Sequence, residues 1–311
     1  MSAPAIERYQ PGALPWARGA PECAVVLVSY NGAAYLPRCL EALGQQAYRD
    51  FEVILVDNAS SDDTLAIARA NARNLPRLTI ISLSENRGFA GGNNAALSEV
   101  SPLTEFVVLL NTDAFPEKEW LGSLVEAPKQ DDQVGLATGK ILDAASPHRI
   151  DACGDVLNSF GVPRSRGRGA SRDRYEGTDC VFGACGASLL IRASLLRELG
   201  YLFDEDLFCY GEDVDLAYRV QSRGYRCLYV GDAVSYHMRS AGSPGQDAWR
   251  HGLSRRNLWI VFMRYNRRRP PRVALFLLYW LAGDLKLLVT GRLGVLRDQY
   301  RMLILGKGIR R

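Results

Sequence analysis

The sequence places carboxylates where a folded chain can present them for chemistry. Asp57 follows the apolar run FEVILV, and Asp113 closes Asn111-Thr112-Asp113 directly after FVVLL. An acid at such a strand end can accept a hydrogen bond from a nucleobase imide, the role expected of Asp57. It can also share a divalent cation, Mg²⁺ or Mn²⁺, with a phosphate, the role expected of Asp113. The structural alternatives are a helix cap for Asp57 and a strand-ending turn for Asp113. His237, just past the last apolar run, is either a structural histidine or a further ligand of that cation. Glu212-Asp213-Val214-Asp215, preceded by Asp204-Glu205-Asp206, concentrates acid at the first turn of an expected helix. The helix dipole alone favours this. The chemical reading is that Asp213 takes a proton from an acceptor hydroxyl during displacement at a sugar carbon. Asp215 is expected only to pair with Arg219, one helical turn on.

The stretch SENRGFAGGNN, residues 84–94, is glycine-dense just before a helix. Its backbone N–H groups, with Arg87, can meet a diphosphate, although loops of Gly and Asn are also ordinary turns. Its glycines do not follow the GxGxxG spacing of a dinucleotide fold.

These residues need a scaffold that gathers distant strand ends. Residues 24–29, 51–56, 78–83 and 106–110 are short, apolar, β-branched runs, and helical spacing or capping residues follow at 35–43, 64–72 and 93–100. The alternation predicts an α/β fold with a mainly parallel central sheet flanked by helices. Ligands then lie beyond the carboxyl ends of the strands, where Tyr30-Asn31, Asp57-Asn58 and Asn111-Thr112-Asp113 cluster. Residues 133–180 are expected as irregular hairpins and loops, with 164–174 mobile. A strand at 187–191, helices at 194–199 and 212–222, and a last strand at 225–230 complete the body.

Composition bounds the rest. With 311 residues and 47% hydrophobic content the chain can bury a sizeable core,. No uninterrupted apolar run is long enough to span a bilayer, and the opening residues lack the pattern of a secretory signal. Residues 1–23 are therefore expected as a loose arm. Seven cysteines, without a CxxC pair, fit reduced thiols in a cytoplasm,. The net charge of +4 conceals a basic end: residues 250–311 carry 15 Lys/Arg against Asp284 and Asp298, or +13, and leave −9 on the remainder. Such a segment seeks phosphate. Trp259, Phe262 and Tyr265 are spaced for a helix face rather than a stacking platform, so nucleic acid is not the expected partner. The expectation is a basic, amphipathic helical extension that holds the protein peripherally on the inner, anionic face of a membrane. In the alternative, its apolar faces form a homodimer interface or cover the core. Gly291, Arg292 and Gly294 interrupt the helical pattern of residues 284–305.

The succession VSYNGAAYLPRCLEAL, VDNASSDDT, NRGFAGGNNAAL, VVLLNTDAFPEKEWL and FDEDLFCYGEDVDLAYRVQSRGY resembles the family-2 glycosyltransferases, in particular the bacterial rhamnosyltransferase-like branch. The likeness covers residues 24–237, and the joint order of five motifs is specific where each alone is not. It implies a GT-A fold, a nucleotide-diphosphate sugar donor and inversion at the transferred carbon. It also implies residue roles: Ser29, Tyr30 and Asp57 on the nucleoside, Asp113 on the metal and diphosphate, and Asp213 as the base; Asn86, Arg87 and Gly88 of the glycine-dense loop and Asn111 at the strand end are the further residues expected on the donor. Gly183, Ala184, Cys185, Gly186 and Glu212 would lie near acceptor or sugar, and Asp113 and His237 would hold the metal. One departure stands out, because the family's metal motif often begins with Asp and Asn111 is neutral. The expected organisation is a donor-binding half at 24–114, an acceptor and catalytic half at 115–249, and the extension. Rhamnose carried on dTDP is one such donor, and a glycan or lipid-linked acceptor is expected. Competing readings are a nucleotidyltransferase and a catalytically silent, membrane-bound nucleotide binder.

Overall fold

A computed structural model of the chain describes residues 4–12, 19–239 and 247–305. The strands are β1 (Ala5–Tyr9), β2 (Cys23–Ser29), β3 (Phe51–Asp57), β4 (Leu78–Ser82), β5 (Phe106–Leu110), β6 (Ala114–Pro116), β7 (Val134–Asp143), β8 (Ser146–Ala152), β9 (Asp155–Leu157), β10 (Pro163–Ser165), β11 (Thr178–Val181), β12 (Ser188–Arg192) and β13 (Arg226–His237). The α-helices are α1 (Leu36–Gly44), α2 (Thr64–Asn71), α3 (Gly88–Ala96), α4 (Trp120–Lys129), α5 (Ala193–Leu199), α6 (Glu212–Ser222), α7 (Asp247–Asn266), α8 (Pro270–Val289) and α9 (Leu293–Leu305).

A strand that is apolar at every position must be covered on both faces. In β2, Cys23, Val25 and Leu27 face a core built with Leu40 of α1 and Trp120 and Leu124 of α4. The alternate residues Ala24 and Val26 face a second core with Ala90 of α3, Leu195 of α5 and Leu216 of α6. The helices thus flank one central sheet in the order β1-β4-β3-β2-β5-β12-β7-β13-β11. It is parallel through β4, β3, β2 and β5, and again at β7 with β13. This is the α/β architecture with a GT-A arrangement that the sequence led us to expect.

Three expectations are corrected. The N-terminal arm is not loose throughout: Ala5 to Tyr9 pair antiparallel with Ser82 to Leu78 of β4. Its short, charged sequence hides a strand because an edge position needs little apolar surface. The other parts of that arm, residues 1–3 and 13–18, lie outside the described residues. Residues 133–180 are not merely irregular, because they contain β7, a ten-residue strand at the heart of the sheet. Gly135, Gly139 and Lys140 break its apolar pattern. The 164–174 stretch, expected as mobile, is laced along β8 by Ile150 N–H to the Ala170 carbonyl (2.9 Å) and Arg149 Nη1 to the Gly169 carbonyl (2.8 Å).

The third correction concerns the C-terminal end. The boundary expected after residue 249 falls inside α7, and that helix is docked on α6. Tyr265 stacks on Tyr218 of α6 with centroids 4.5 Å apart. Arg264 reaches Asp215 at 2.6 Å and Asp204 at 2.7 Å. In turn α8 packs on α7 through the stacked rings of Phe276 and Phe262, 3.8 Å apart. Residues 284–305 do not form one helix: the chain turns between α8 and α9 at Gly291, whose φ is +68°. Asp284, buried there, ties the elements together through Arg255 (2.9 Å), Gln299 (3.0 Å) and Tyr300 (2.5 Å). The basic residues at 306–311 lie outside the described residues.

Gly139 marks the tightest approach in the sheet. β13 is irregular between Val230 and Val234, and this brings the Ala233 carbonyl to 1.9 Å from where a Cβ at Gly139 would stand. The neighbour is backbone and has no easy way to give. Gly139→Ala should therefore destabilise the protein by at least about 2 kcal/mol, measured as a lower urea midpoint at unchanged slope.

Candidate active site

The carboxyl ends of β2, β3 and β5 lie side by side, with Ser29 opposite Asp57 in register. The loops beyond them are laced together: Asn31 N–H donates to Ser60 Oγ (2.9 Å), Gly32 N–H to Thr64 Oγ1 (2.9 Å) and Ala33 N–H to Asp62 (3.0 Å). Asp57 is buried and accepts from Ser60 N–H at 3.3 Å. Tyr30 stands 46% exposed at the rim. Ser29 is placed differently from a lining residue. Its hydroxyl is buried without a hydrogen-bond partner, and a Cβ at Gly32 would lie 2.3 Å from it, so Ser29 stands behind the strand end.

The glycine-dense loop is fixed from below by Asn58, which the sequence places at a ligand-facing strand end without giving it this role. Its amide donates to Asn86 Oδ1 and to the Gly88 carbonyl, both at 3.0 Å, and its oxygen accepts from Arg87 N–H at 2.9 Å. Gly88 has φ +69° and is crossed by Phe208, whose carbonyl would lie 2.4 Å from a Cβ there. Only glycine fits. The Arg87 guanidinium is held by both oxygens of Glu205, at 3.0 and 2.8 Å. A diphosphate at this loop would find a cation already oriented, and would compete with Glu205 for it.

At the end of β5 the structure brings Asn111, Asp113 and His237 together. His237 Nε2 lies 3.2 Å from Asp113 and 3.3 Å from the Asn111 amide nitrogen. His237 Nδ1 lies 3.2 Å from Asp151 on β8, which is also bound by Arg239 at 3.0 Å. Burial works against charge on the ring, but the hydrogen bonds to Asp113 and Asp151 outweigh it and bring His237 up to about 9. A carboxylate behind a histidine is a common support for a metal-binding imidazole, and with the Asp113 oxygens beside it the pair suits a divalent cation such as Mn²⁺. Among the described residues no group of three His, Cys, Asp or Glu side chains converges as a cation cage. With two side-chain ligands, a cation here would depend on diphosphate and water for the rest of its shell.

The second group of expected residues gathers at the start of α6. Gly186 N–H donates to Asp213 Oδ2 at 3.1 Å and Val214 N–H to Oδ1 at 2.8 Å. Burial raises the Asp213 carboxyl, and these bonds pull against it. The neighbouring Glu212 is buried, its Oε2 lacks a partner, and burial followed by the Asp213 charge pushes it well above the carboxylate range. Of the two, Asp213 is the one whose ionised form is hydrogen-bonded. Gly183, Ala184 and Cys185 lie alongside: the Gly183 carbonyl accepts from Asp155 N–H at 2.8 Å, and burial and then Asp213 raise the Cys185 thiol. Asp215 is paired with Arg219 at 2.9 Å, as its spacing implied.

Ahead of α6 runs a loop with three residues at positive φ, Phe208 (+61°), Tyr210 (+69°) and Gly211 (+95°). Asn257 of α7, fully buried, directs its amide nitrogen at the carbonyls of Leu207, Cys209 and Tyr210, at 2.7, 2.9 and 2.7 Å. The Phe208 carbonyl accepts from Ala90 N–H of α3 at 3.0 Å. One loop therefore connects the expected donor side to the expected base. Sequence reasoning missed Asn257, Asp151 and Asp155, none of which sits in a recognisable motif. Only the strand-like stretches around Asp151 and Asp155 could have hinted at them.

Comparison with known proteins bears on the family and the fold. Residues 24–199 match the model of glycosyl transferase family 2. An N-acetylglucosaminyl-diphospho-decaprenol L-rhamnosyltransferase of Mycobacterium tuberculosis is 26% identical, over 77% of this chain and 83% of its own. The fold is also that of the mannosyltransferase PcManGT from Pyrobaculum calidifontis, solved with GDP-Man and Mn²⁺, at TM-score 0.60 and 23% identity over 96% of this chain and 78% of that one. TarS of S. aureus shares it at TM-score 0.55 and 21% identity over 82% of this chain, which spans 43% of the TarS chain.

Asp155 carries a pH signature. Burial and then the charge of Asp213 move it from 3.8 to about 7, against pulls from Ser165 and Arg168. A carboxyl raised in the folded state favours folding while protonated, and that contribution is lost as pH rises from the unfolded value to the folded one. Asp155→Asn should therefore show a flatter dependence of thermal midpoint on pH between 3.8 and about 7 than the wild type, followed by differential scanning fluorimetry.

Proposed function

Because the chain belongs to glycosyl transferase family 2, we propose that it is an inverting enzyme with Asp213 as its base. It would move a sugar from a nucleotide-diphosphate donor to a hydroxyl of a glycan or lipid-linked acceptor in cell-surface polysaccharide assembly. The observation that carries the reading is the half-buried Asp213 carboxylate, hydrogen-bonded by Gly186 N–H beside Glu212, whose Oε2 has no partner. Asp213 takes the proton of the acceptor hydroxyl as its oxygen bonds to the anomeric carbon, and the bond from that carbon to the diphosphate oxygen breaks. Burial and the Asp213 charge push Glu212 toward its protonated form, which favours the negative charge on Asp213.

On the donor side, Asp57 and Tyr30 meet the nucleoside, and Arg87, Asn86 and the Gly88 loop meet the diphosphate. Asp113 and His237 would hold Mg²⁺ or Mn²⁺, which supplies positive charge against the leaving diphosphate. Support comes from their 3.2 Å approach and from the carboxylate behind the ring. Rhamnose on dTDP is the donor to test first, given the rhamnosyltransferase among the similar proteins. Among the described residues no helix is long and apolar enough to cross a membrane. We place the protein at the cytoplasmic face of a membrane through its basic end, where a lipid-linked acceptor would be met. Hydrolysis or transfer of a nucleotide sugar by purified protein separates this reading from that of a silent nucleotide binder.

Asp213→Asn keeps the shape of the side chain but cannot take the proton. Turnover should fall by about a hundredfold or more with donor affinity nearly intact, and near-normal turnover would remove Asp213 from the role. Asp113→Ala removes an anionic ligand beside the diphosphate. Calorimetry should find weaker donor binding and a smaller response to Mn²⁺; equal affinity for wild type and variant, in Mn²⁺ and in chelator alike, would sink the assignment.

A further inference from the structure

Helix α8 turns the wrong face to water. Phe276, Trp280, Asp284 and Leu287 point inward and are buried. On the opposite side Leu278, Leu281 and Leu285 are each 61% exposed and Val289 is 79% exposed. These positions follow one another at helical spacing, so they form a continuous stripe. Leu293, 59% exposed, adds to it at the start of α9. By contrast α9 uses its own apolar residues on the protein, with Met302 buried and Leu303 packed against the α7–α8 cluster. A stripe of this kind marks a surface that something covers.

The charge around the stripe identifies what covers it. Arg267, Arg268 and Arg269 precede α8, Arg272 lies in its first turn, and Lys286 and Arg292 flank its end. All six are exposed, and none has an ion-pair partner among the described residues. The two acids of the segment are already engaged, Asp284 with Arg255 and Asp298 with Arg297. A two-fold pairing of this face with itself would set two basic rims against each other. Anionic lipid headgroups neutralise the same rim while the acyl boundary takes the leucines.

The geometry points to the outer face of α8, continued by Leu293, as a docking surface for an anionic lipid bilayer, with the helix lying in the plane of the headgroups. It does not span, because its other face is packed on α7. The inference deepens the reading above by naming the surface that would meet the membrane, and it rests on that reading only for its purpose.

The test uses the full chain with sedimented vesicles of phosphatidylglycerol in phosphatidylcholine, and of phosphatidylcholine alone, at low and high salt. Wild type should bind the anionic vesicles. The triple variant Leu278→Ser, Leu281→Ser, Leu285→Ser should lose about tenfold or more of that binding at an unchanged unfolding midpoint. Arg267→Gln, Arg268→Gln, Arg269→Gln should lose the salt-sensitive part. If the leucine triple unfolds early, the single Leu281→Glu carries the same comparison. Wild type that ignores anionic vesicles at low salt, or a folded leucine variant that binds as wild type, overturns the inference. So does a wild-type dimer that the leucine variant splits, with no vesicle binding. Donor binding measured without vesicles keeps the two readings apart: vesicle binding without donor binding leaves the docking surface standing and removes the transferase.

Discussion

The amide of Asn257 holds a loop that has no regular structure of its own. Phe208 and Tyr210 sit at positive φ, a conformation that costs a non-glycine residue of order 1 kcal/mol or more. Their turn leaves buried carbonyls that neither a helix nor a sheet satisfies. Asn257 brings its two amide N–H donors within reach of three of them from a helix about fifty residues further along the chain,. Beneath it, Arg264 and Tyr265 of the same helix hold Asp215 at 2.6 and 2.9 Å, on the side of α6 away from Asp213. The position of the proposed base is thus set from both ends by α7. Since Phe208 also covers Gly88 and bonds to α3, the glycine-dense loop shares that reference frame.

The acids of the site differ in how their burial is compensated. Asp151 is met by His237, Arg239 and Arg168, the last at 3.4 Å. Asp113 has His237, and Asp213 has two backbone N–H groups. Glu212 and Asp155 are left with the smaller share, and both are pushed toward the protonated form. A dense group of carboxyls can fold when cations and N–H groups are assigned to some of its members and others stay neutral. The distribution also sets apart two places: charge near Asp113 and His237, and the proposed proton acceptor, Asp213, near Gly186.

The N-terminal part of the sheet was legible because its strands are short, mostly apolar runs that give way to polar residues, Ser29, Asp57, Ser82 and Asn111. β5 has the bounds the sequence gives it, and α6 likewise spans Glu212 to Ser222. Asp57, Asp113, His237 and Asp213 were singled out as candidates because each stands where such an element closes or opens. Legibility failed where structure depends on partners distant in sequence. β7 is buried by neighbours on both sides, so its glycines and Lys140 do not betray it as a loop. Asp151 and Asp155 matter through what faces them, and Asn257 through carbonyls that no pattern of its own helix announces. The basic end read as a separable extension because net charge dominates its composition, whereas its contacts to α6 are few and specific.

β1 has a consequence beyond the site. Without it, β4 would be the rim of the sheet, and Leu78, Ile80 and Ile81 would offer unpaired backbone groups on an apolar strand. Such a rim invites a strand from another molecule and seeds aggregation. β1 replaces it with a rim that carries Glu7 and Arg8, tied to Arg69 and Glu99 at 2.6 Å each. Charges fixed in place on a five-residue strand make a poor template for further growth. What reads as a loose arm thus protects the colloidal behaviour of the chain, a property that neither catalysis nor equilibrium unfolding would register.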